Sequence, residues 1–267
     1  MNLPIYQADA FTDRPFAGNP AAVCILQQPV PDSWMQSLAA EMNLSETAFL
    51  VPAADLFHLR WFTPTVEVDL CGHATLASAH ILWETGRLSL DRPARFETRS
   101  GPLTACRREQ RIEMDFPALP APKAPIPEGL ETALGAEALT VRRNKMDLLV
   151  ELRDGATLRG LKPDMRRLAE VAPRGVIVTS ESDDARFDFL SRFFAPAAGI
   201  DEDPVTGSAH CCLAPFWRAR LGRDAMTGCQ ASQRGGIVGV RVEGDRVVLI
   251  GTAVTVFAGT LSAQPLT

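Results

Sequence analysis

Glu46 lies in Asn43-Leu44-Ser45-Glu46-Thr47-Ala48-Phe49, a lone carboxylate between apolar neighbours ahead of a stretch that reads as a strand. Burial raises a carboxyl pKa towards neutrality, which a general acid/base needs. An exposed Glu in a capping box or turn is the other reading these residue types allow. His73 follows Gly72 at the start of an apolar helix. It is either a satisfied core or cap histidine, or a hydrogen-bond donor and proton carrier. Asp201-Glu202-Asp203-Pro204 precedes a second glycine-led helix. Alone, that run is a solvated acidic loop or a turn cap. Beside an anion site, one of its acids could stay protonated, and Asp203 and Glu46 would form an acid/base pair with separated pKa values.

Other chemistries find less support. Cys71-Gly72-His73 with His210-Cys211-Cys212 fits no structural zinc pattern, because adjacent cysteines point to different faces of a helix. No metal is expected. A Cys71–His73 nucleophile pair lacks an orienting third group. Arg234-Gly235-Gly236 matches neither glycine-rich nucleotide pattern, and Ser208 is not in a nucleophile elbow. The chain has 267 residues, 46% hydrophobic and 22% charged, with a formal net charge of −5. That is a globular composition, and collagenous and disordered chains are excluded. Basic residues are scattered, so no nucleic acid partner is expected, while a small anion remains open. The N-terminal residues lack a basic region followed by an apolar run, so no signal peptide is expected. The uncharged stretch Val247–Thr267 alternates like paired strands, so no membrane span is expected either. The six cysteines then read as free thiols in a reducing, cytoplasmic setting.

These residues must be positioned by their elements. Ile5 to Leu26 reads as strand, turn, strand, with the turn at Pro15–Pro20. A helix opens at Pro31-Asp32, with Asp32 as its N-cap. Strands follow at Thr47–Val51 and Phe57–Phe62. Gly72–Trp83 is a helix apolar nearly all round, and so one buried on all sides. The five prolines between Phe116 and Pro127 mark a semi-rigid linker between two lobes, at residues 1–117 (completed by 252–267 if the last strand crosses back) and 118–251. In the second lobe, short helices near Glu128–Leu134 and Pro163–Val171 flank strands at Met146–Leu152, Val176–Thr179 and Phe187–Phe194. Gly207–Leu221 is a helix that Pro215 should kink, and hairpin-like strands close the chain.

An internal repeat joins the halves. Arg60-Trp61-Phe62-Thr63-Pro64 with Val68-Asp69 matches Arg192-Phe193-Phe194-Ala195-Pro196 with Ile200-Asp201, at a constant offset. Gly72-His73-Ala74 then matches Gly207-Ser208-Ala209, three residues further apart. In each unit a polar residue, His73 or Ser208, begins a helix. Helix starts offer unpaired N–H groups and a positive dipole end. If the lobes face each other, both starts point into one cleft that would hold a carboxylate without Lys or Arg.

Asp9-Ala10-Phe11-Thr12, Gly18-Asn19-Pro20, Asn43-Leu44-Ser45-Glu46-Thr47, Phe62-Thr63-Pro64, Cys71-Gly72-His73-Ala74-Thr75 and Asp203-Pro204-Val205-Thr206-Gly207-Ser208-Ala209 together resemble the PhzF (phenazine biosynthesis) family. The resemblance runs from about Ile5 to Leu261. It implies the diaminopimelate-epimerase-like fold, an α+β architecture of two pseudo-symmetric lobes, each a curved mixed β-sheet or barrel around one central helix. It implies a cofactor-independent isomerase, the best known member of which moves a proton between ring carbons of a dihydro-hydroxyanthranilate. Glu46 then matches the general acid/base, with His73, Asp203 and Ser208 as further catalytic groups. Asn19, Ser45, Cys71, Gly72, Thr206 and Gly207 become substrate-binding positions. A homodimer is implied as well. Related epimerases use two cysteines, one ahead of each helix. Here Cys71 occupies the first position, and no cysteine stands near Pro204 and Val205. The expected function is acid/base isomerisation of a small carboxylate-bearing molecule. A binding protein without turnover and a Cys71-dependent epimerase or racemase are the alternatives.

Overall fold

The computed structural model describes residues 3–172 and 174–262. The end of the expected closing segment, residues 263–267, lies outside the described residues. The chain divides into two compact units. One is the chain up to Asp115 together with the segment from Ile250, and the other is Phe116–Leu249.

The first unit carries β1 (Leu3–Ala10), β2 (Asn19–Ile25), α1 (Asp32–Met42), β3 (Glu46–Ala53), β4 (Leu56–Phe62), β5 (Glu67–Val68), α2 (Gly72–Glu84), β6 (Ala94–Thr98), β7 (Gly101–Arg108) and most of β8 (Arg111–Pro117). The second carries α3 (Leu130–Leu134), β9 (Thr140–Arg143), β10 (Asp147–Glu151), α4 (Gly155–Gly160), α5 (Met165–Val171), β11 (Gly175–Glu181), β12 (Phe189–Phe194), α6 (Gly207–Leu221), β13 (Ala225–Gln230), β14 (Gly236–Glu243) and most of β15 (Arg246–Gly251). The final strand, β16 (Ala253–Leu261), pairs antiparallel with β1 and so completes the first unit.

Strand order in the first unit is β16-β1-β2-β3-β4-β6-β7-β8, with β5 beside β4. Two neighbours are parallel, β2 with β3 and β4 with β6. A parallel pair needs a crossover, usually a helix. Here α1 supplies the first and α2 the second. The second unit runs β9-β10-β11-β12-β13-β14-β15. Its parallel pairs are β10 with β11 and β12 with β13, crossed over by α4–α5 and by α6. The repeat read from a few motifs is thus a repeat of whole sheet connectivity.

In the first unit α2 packs against β1, β2, β3, β7 and β16. A flat sheet cannot reach one helix from its first strand and its seventh, so this sheet curls round α2. The helix accordingly buries every residue from His73 to Trp83 except His80. In the second unit α6 packs on β13 and β14 and reaches β11, where the Trp217 indole N–H donates to Thr179 Oγ1 at 2.9 Å. Leu213, Ala214 and Trp217 are fully buried.

Two expectations are corrected. Asp32 is not the N-cap of α1. Pro31 holds that position, and the Asp32 carboxylate accepts from Arg60 Nη1 at 2.7 Å instead. The proline run after Phe116 is no free linker. It docks on the second unit, with Ala118 N–H donating to Asp245 O, Leu119 N–H to Cys211 O and Ala124 N–H to Val141 O. The same contact explains why α6 runs through Pro215 as one helix. Proline has no N–H for the carbonyl four residues back, and here Leu119 serves that orphaned Cys211 oxygen at 3.0 Å. Among the described residues no helix is long and apolar enough to cross a membrane.

Candidate active site

In the first unit the chemistry gathers where β2, β3 and α2 begin. Parallel pairing sets Ala21 opposite Glu46, so Asn19 and Glu46 open neighbouring strands. His73 is the second residue of α2. Its Nδ1 lies 3.2 Å from Asn19 Nδ2, and its Nε2 lies 3.2 Å from Glu46 Oε2. An amide nitrogen only donates, so with the amide so placed Nδ1 accepts and Nε2 carries the ring proton that faces Glu46. Cys71 Sγ lies 3.4 Å from the same Nδ1. The His73 and Glu46 side chains retain 6% and 13% of their exposure, so water does little to screen them. Burial holds the His73 pKa down to about 3, so the imidazole is neutral at pH 7. His73 is therefore not a resident cation. Ser45 is half-buried directly before Glu46.

In the second unit Thr206 caps α6 and its hydroxyl donates to Asp203 Oδ2. Gln230 braces that turn from β13. Its Oε1 accepts from the Thr206 N–H at 2.9 Å, and its Nε2 donates to Asp203 O at 2.7 Å. Ser208, the residue matching His73 in the repeat, accepts at Oγ from Arg174 Nη2 at 3.1 Å. Arg174 is itself fixed by Asp147, whose side chain is fully buried, with Nε 2.8 Å from Oδ1. The guanidinium on the Ser208 hydroxyl is at the same time the counter-charge of the buried Asp147 at the head of β10.

The two helix starts share a device. Thr75 Oγ1 donates to Cys71 O at 2.6 Å, and His210 Nδ1 donates to Thr206 O at 2.8 Å. In both cases the fourth helical residue bonds back to the capping carbonyl. Neither N-terminus has a side-chain cap, whereas Asp154 and Asp164 cap α4 and α5. The first N–H groups of α2 and α6, at Gly72 and Gly207, are left uncapped by side chains, as an anion-accepting helix start requires. His210 is thereby a structural residue, its pKa pushed down to about 4 by burial.

The acidic loops also repeat. Arg60 grips Glu67 through Nε and Nη2 at 2.7 and 2.6 Å, and Arg192 grips Glu202 in the same way at 2.7 and 2.9 Å. Each guanidinium lies over a phenylalanine of its own strand, Phe62 or Phe194. Glu202 is therefore a strap on the loop, which separates it from Asp203. Sequence reasoning missed Arg174, Asp147 and Gln230. Asp147 had a signal, since it is a lone acid opening the apolar run Leu148-Leu149-Val150, the very pattern that singled out Glu46. Arg174 and Gln230 sit in no motif.

A central helix enclosed by a curved mixed sheet thus carries a buried imidazole and thiol at its start, with the Glu46 carboxylate beside them. The chain belongs to the phenazine biosynthesis-like (PhzC/PhzF) family, whose model matches residues 8–259. It is 52% identical over 262 residues to an uncharacterized isomerase of Halalkalibacterium halodurans, covering 98% of this chain and 99% of that one. A PhzF-family crystal structure from Enterococcus faecalis superposes with a TM-score of 0.94 at 40% identity, covering 98% of this chain and all of the other. A predicted epimerase from Pseudomonas aeruginosa, 22% identical over 98% of this chain and all of its own, superposes at 0.75 and shows the shared fold. The protein is an isomerase of this family.

Proposed function

We propose that the protein isomerises a small carboxylate-bearing molecule by acid/base proton transfer, without a cofactor, and that Glu46 carries the proton. The observation that carries this is the 3.2 Å approach of Glu46 Oε2 to the Nε2 of a neutral, buried His73. Glu46 removes a proton alpha or vinylogous to an activating group and returns it at another carbon. His73, held through Nδ1 by Asn19, supports each protonation state of the carboxyl without adding a charge. The N–H groups at the start of α2 suit a carboxylate. Asp203 and Ser208 are assigned to the same reaction by motif resemblance, as proton carrier and hydroxyl donor. One positioned acid/base is worth about 10² to 10⁴ in rate.

The test is deuterium incorporation from D₂O into a panel of cyclic and acyclic unsaturated amino and hydroxy acids, including dihydro-hydroxyanthranilate, followed by NMR. Wild type should exchange at least one member, and Glu46→Gln should lose that exchange with its melting temperature nearly unchanged. Full exchange by Glu46→Gln would refute the mechanism. A second reading has its own observation, the 3.4 Å approach of Cys71 Sγ to His73. In it Cys71 delivers the proton that Glu46 removes. Cys71→Ala separates the two readings, because unchanged exchange eliminates the thiol.

A further inference from the structure

A thiol, an imidazole and a carboxylate meet at the start of α2. One donor atom each from Glu46, Cys71 and His73 lies within 4.8 Å of the other two. It is the only such cluster of three among the described residues. For atoms so spaced, some point lies within about 2.8 Å of all three, while zinc bonds to these donors span about 2.0–2.3 Å. A contraction of roughly half an ångström closes the set, together with a turn of the Cys71 side chain, whose sulfur now stands at Nδ1 while Glu46 stands at Nε2. We propose that Glu46, Cys71 and His73 form a binding site for a zinc-class divalent transition ion, with a fourth position left to water.

The donor chemistry favours that class. A thiolate excludes magnesium and calcium, which take oxygen ligands, and a mixed sulfur, nitrogen and oxygen set with three protein donors suits zinc or cobalt. An ion at Nε2 displaces that proton to Nδ1, where the Asn19 amide turns its oxygen to accept it, and the low exposure of Glu46 and His73 limits competition from water. Cys71 enters as thiolate, its proton leaving to solvent, and no oxidation is involved. The ligand residues come from the ends of two different elements, the head of β3 and the start of α2. That is why the cysteine and histidine spacing alone gave no metal pattern. An ion bound there occupies the carboxylate and imidazole that proton transfer uses, so loading and turnover exclude each other. This last consequence rests on the proposed function, whereas the binding does not.

The experiment is a cobalt(II) titration of chelator-treated, reduced protein, read by absorption. Wild type should bind one ion with a thiolate-to-cobalt charge-transfer band that zinc abolishes. Cys71→Ser should lose the band. Glu46→Gln should keep the band and bind at least tenfold more weakly. Circular dichroism and melting curves of each variant establish that it is folded, and Glu46→Gln decides alone if Cys71→Ser is not. No charge-transfer band in wild type, a band that survives Cys71→Ser, or an affinity unmoved by Glu46→Gln each overturns the site. Failure of the deuterium exchange above would sink the proton-transfer reading and leave this readout untouched.

Discussion

At the residue scale, the candidate site is built of groups that hold one another. The Asn19 amide stands at Nδ1 of His73, and Nε2 of the same ring faces Glu46. The second unit is built alike, with Asp147 fixing Arg174 and Arg174 facing Ser208. The difference is one of charge, since the first chain of contacts is anchored by a neutral amide and the second by a buried carboxylate. Asp147 is fully buried while Arg174 is 37% exposed, so removing the guanidinium leaves a buried carboxylate uncompensated. Arg174→Gln should therefore destabilise the protein by on the order of 3 kcal/mol, and Arg174→Lys by less, because a lysine keeps the charge but loses the fork. Urea denaturation of the three proteins checks this, and equal midpoints would show that Asp147 draws its compensation elsewhere.

At the element scale, turns decide where the site residues arrive. Gly18 precedes Asn19 with φ +63°, and a Cβ there would stand 2.2 Å from Ala10 O. Gly222 ends α6 with φ +67°, and a Cβ there meets nothing within 4 Å. Both positions carry the cost of a left-handed L-residue, about 1 kcal/mol, but only Gly18 adds a clash with backbone. Gly222→Ala should lower stability by about that amount. Gly18→Ala should cost clearly more and shift Asn19, and with it the His73 ring. Melting temperatures measure the first difference. The ring signals of His73 in a histidine-labelled sample report the second.

At the scale of the whole molecule, two buried histidines tie stability to pH. Burial holds His73 near 3 and His210 near 4, both below the ordinary histidine value. Between those values and about 6.5 the unfolded chain binds protons that the folded chain refuses. Stability is therefore complete above about pH 6.5 and falls as the pH drops, by roughly 1.4 kcal/mol per ring for each pH unit. Unfolding followed from pH 7.5 to 4.5 should show this slope, to which His80 adds because burial lowers its pKa too, and His210→Gln should make it shallower. A slope unchanged in that variant would mean that other groups govern the acid limb.

Local pattern was enough for the periodic elements, for the limits of α6 at Gly207 and Leu221, and for the motifs around Glu46, His73 and Asp203, because side-chain spacing and glycine punctuation are local properties. It was enough for the repeat, whose Arg–x–Phe–x–Pro segments proved to be strands bearing matched Arg–Glu straps. Local pattern was silent on β6, β7 and β8, where buried Phe96, Ala105 and Met114 alternate with charged or half-exposed neighbours. It was silent on Gln230 and Arg174, which reach the start of α6 from β13 and from the head of β11. Only tertiary structure could set Asn19, Glu46 and His73 around one ring, or serve the carbonyl that Pro215 orphans with an N–H from the proline run. Such contacts join residues far apart in sequence. Their geometry follows from strand register and helix packing, which no window along the chain contains.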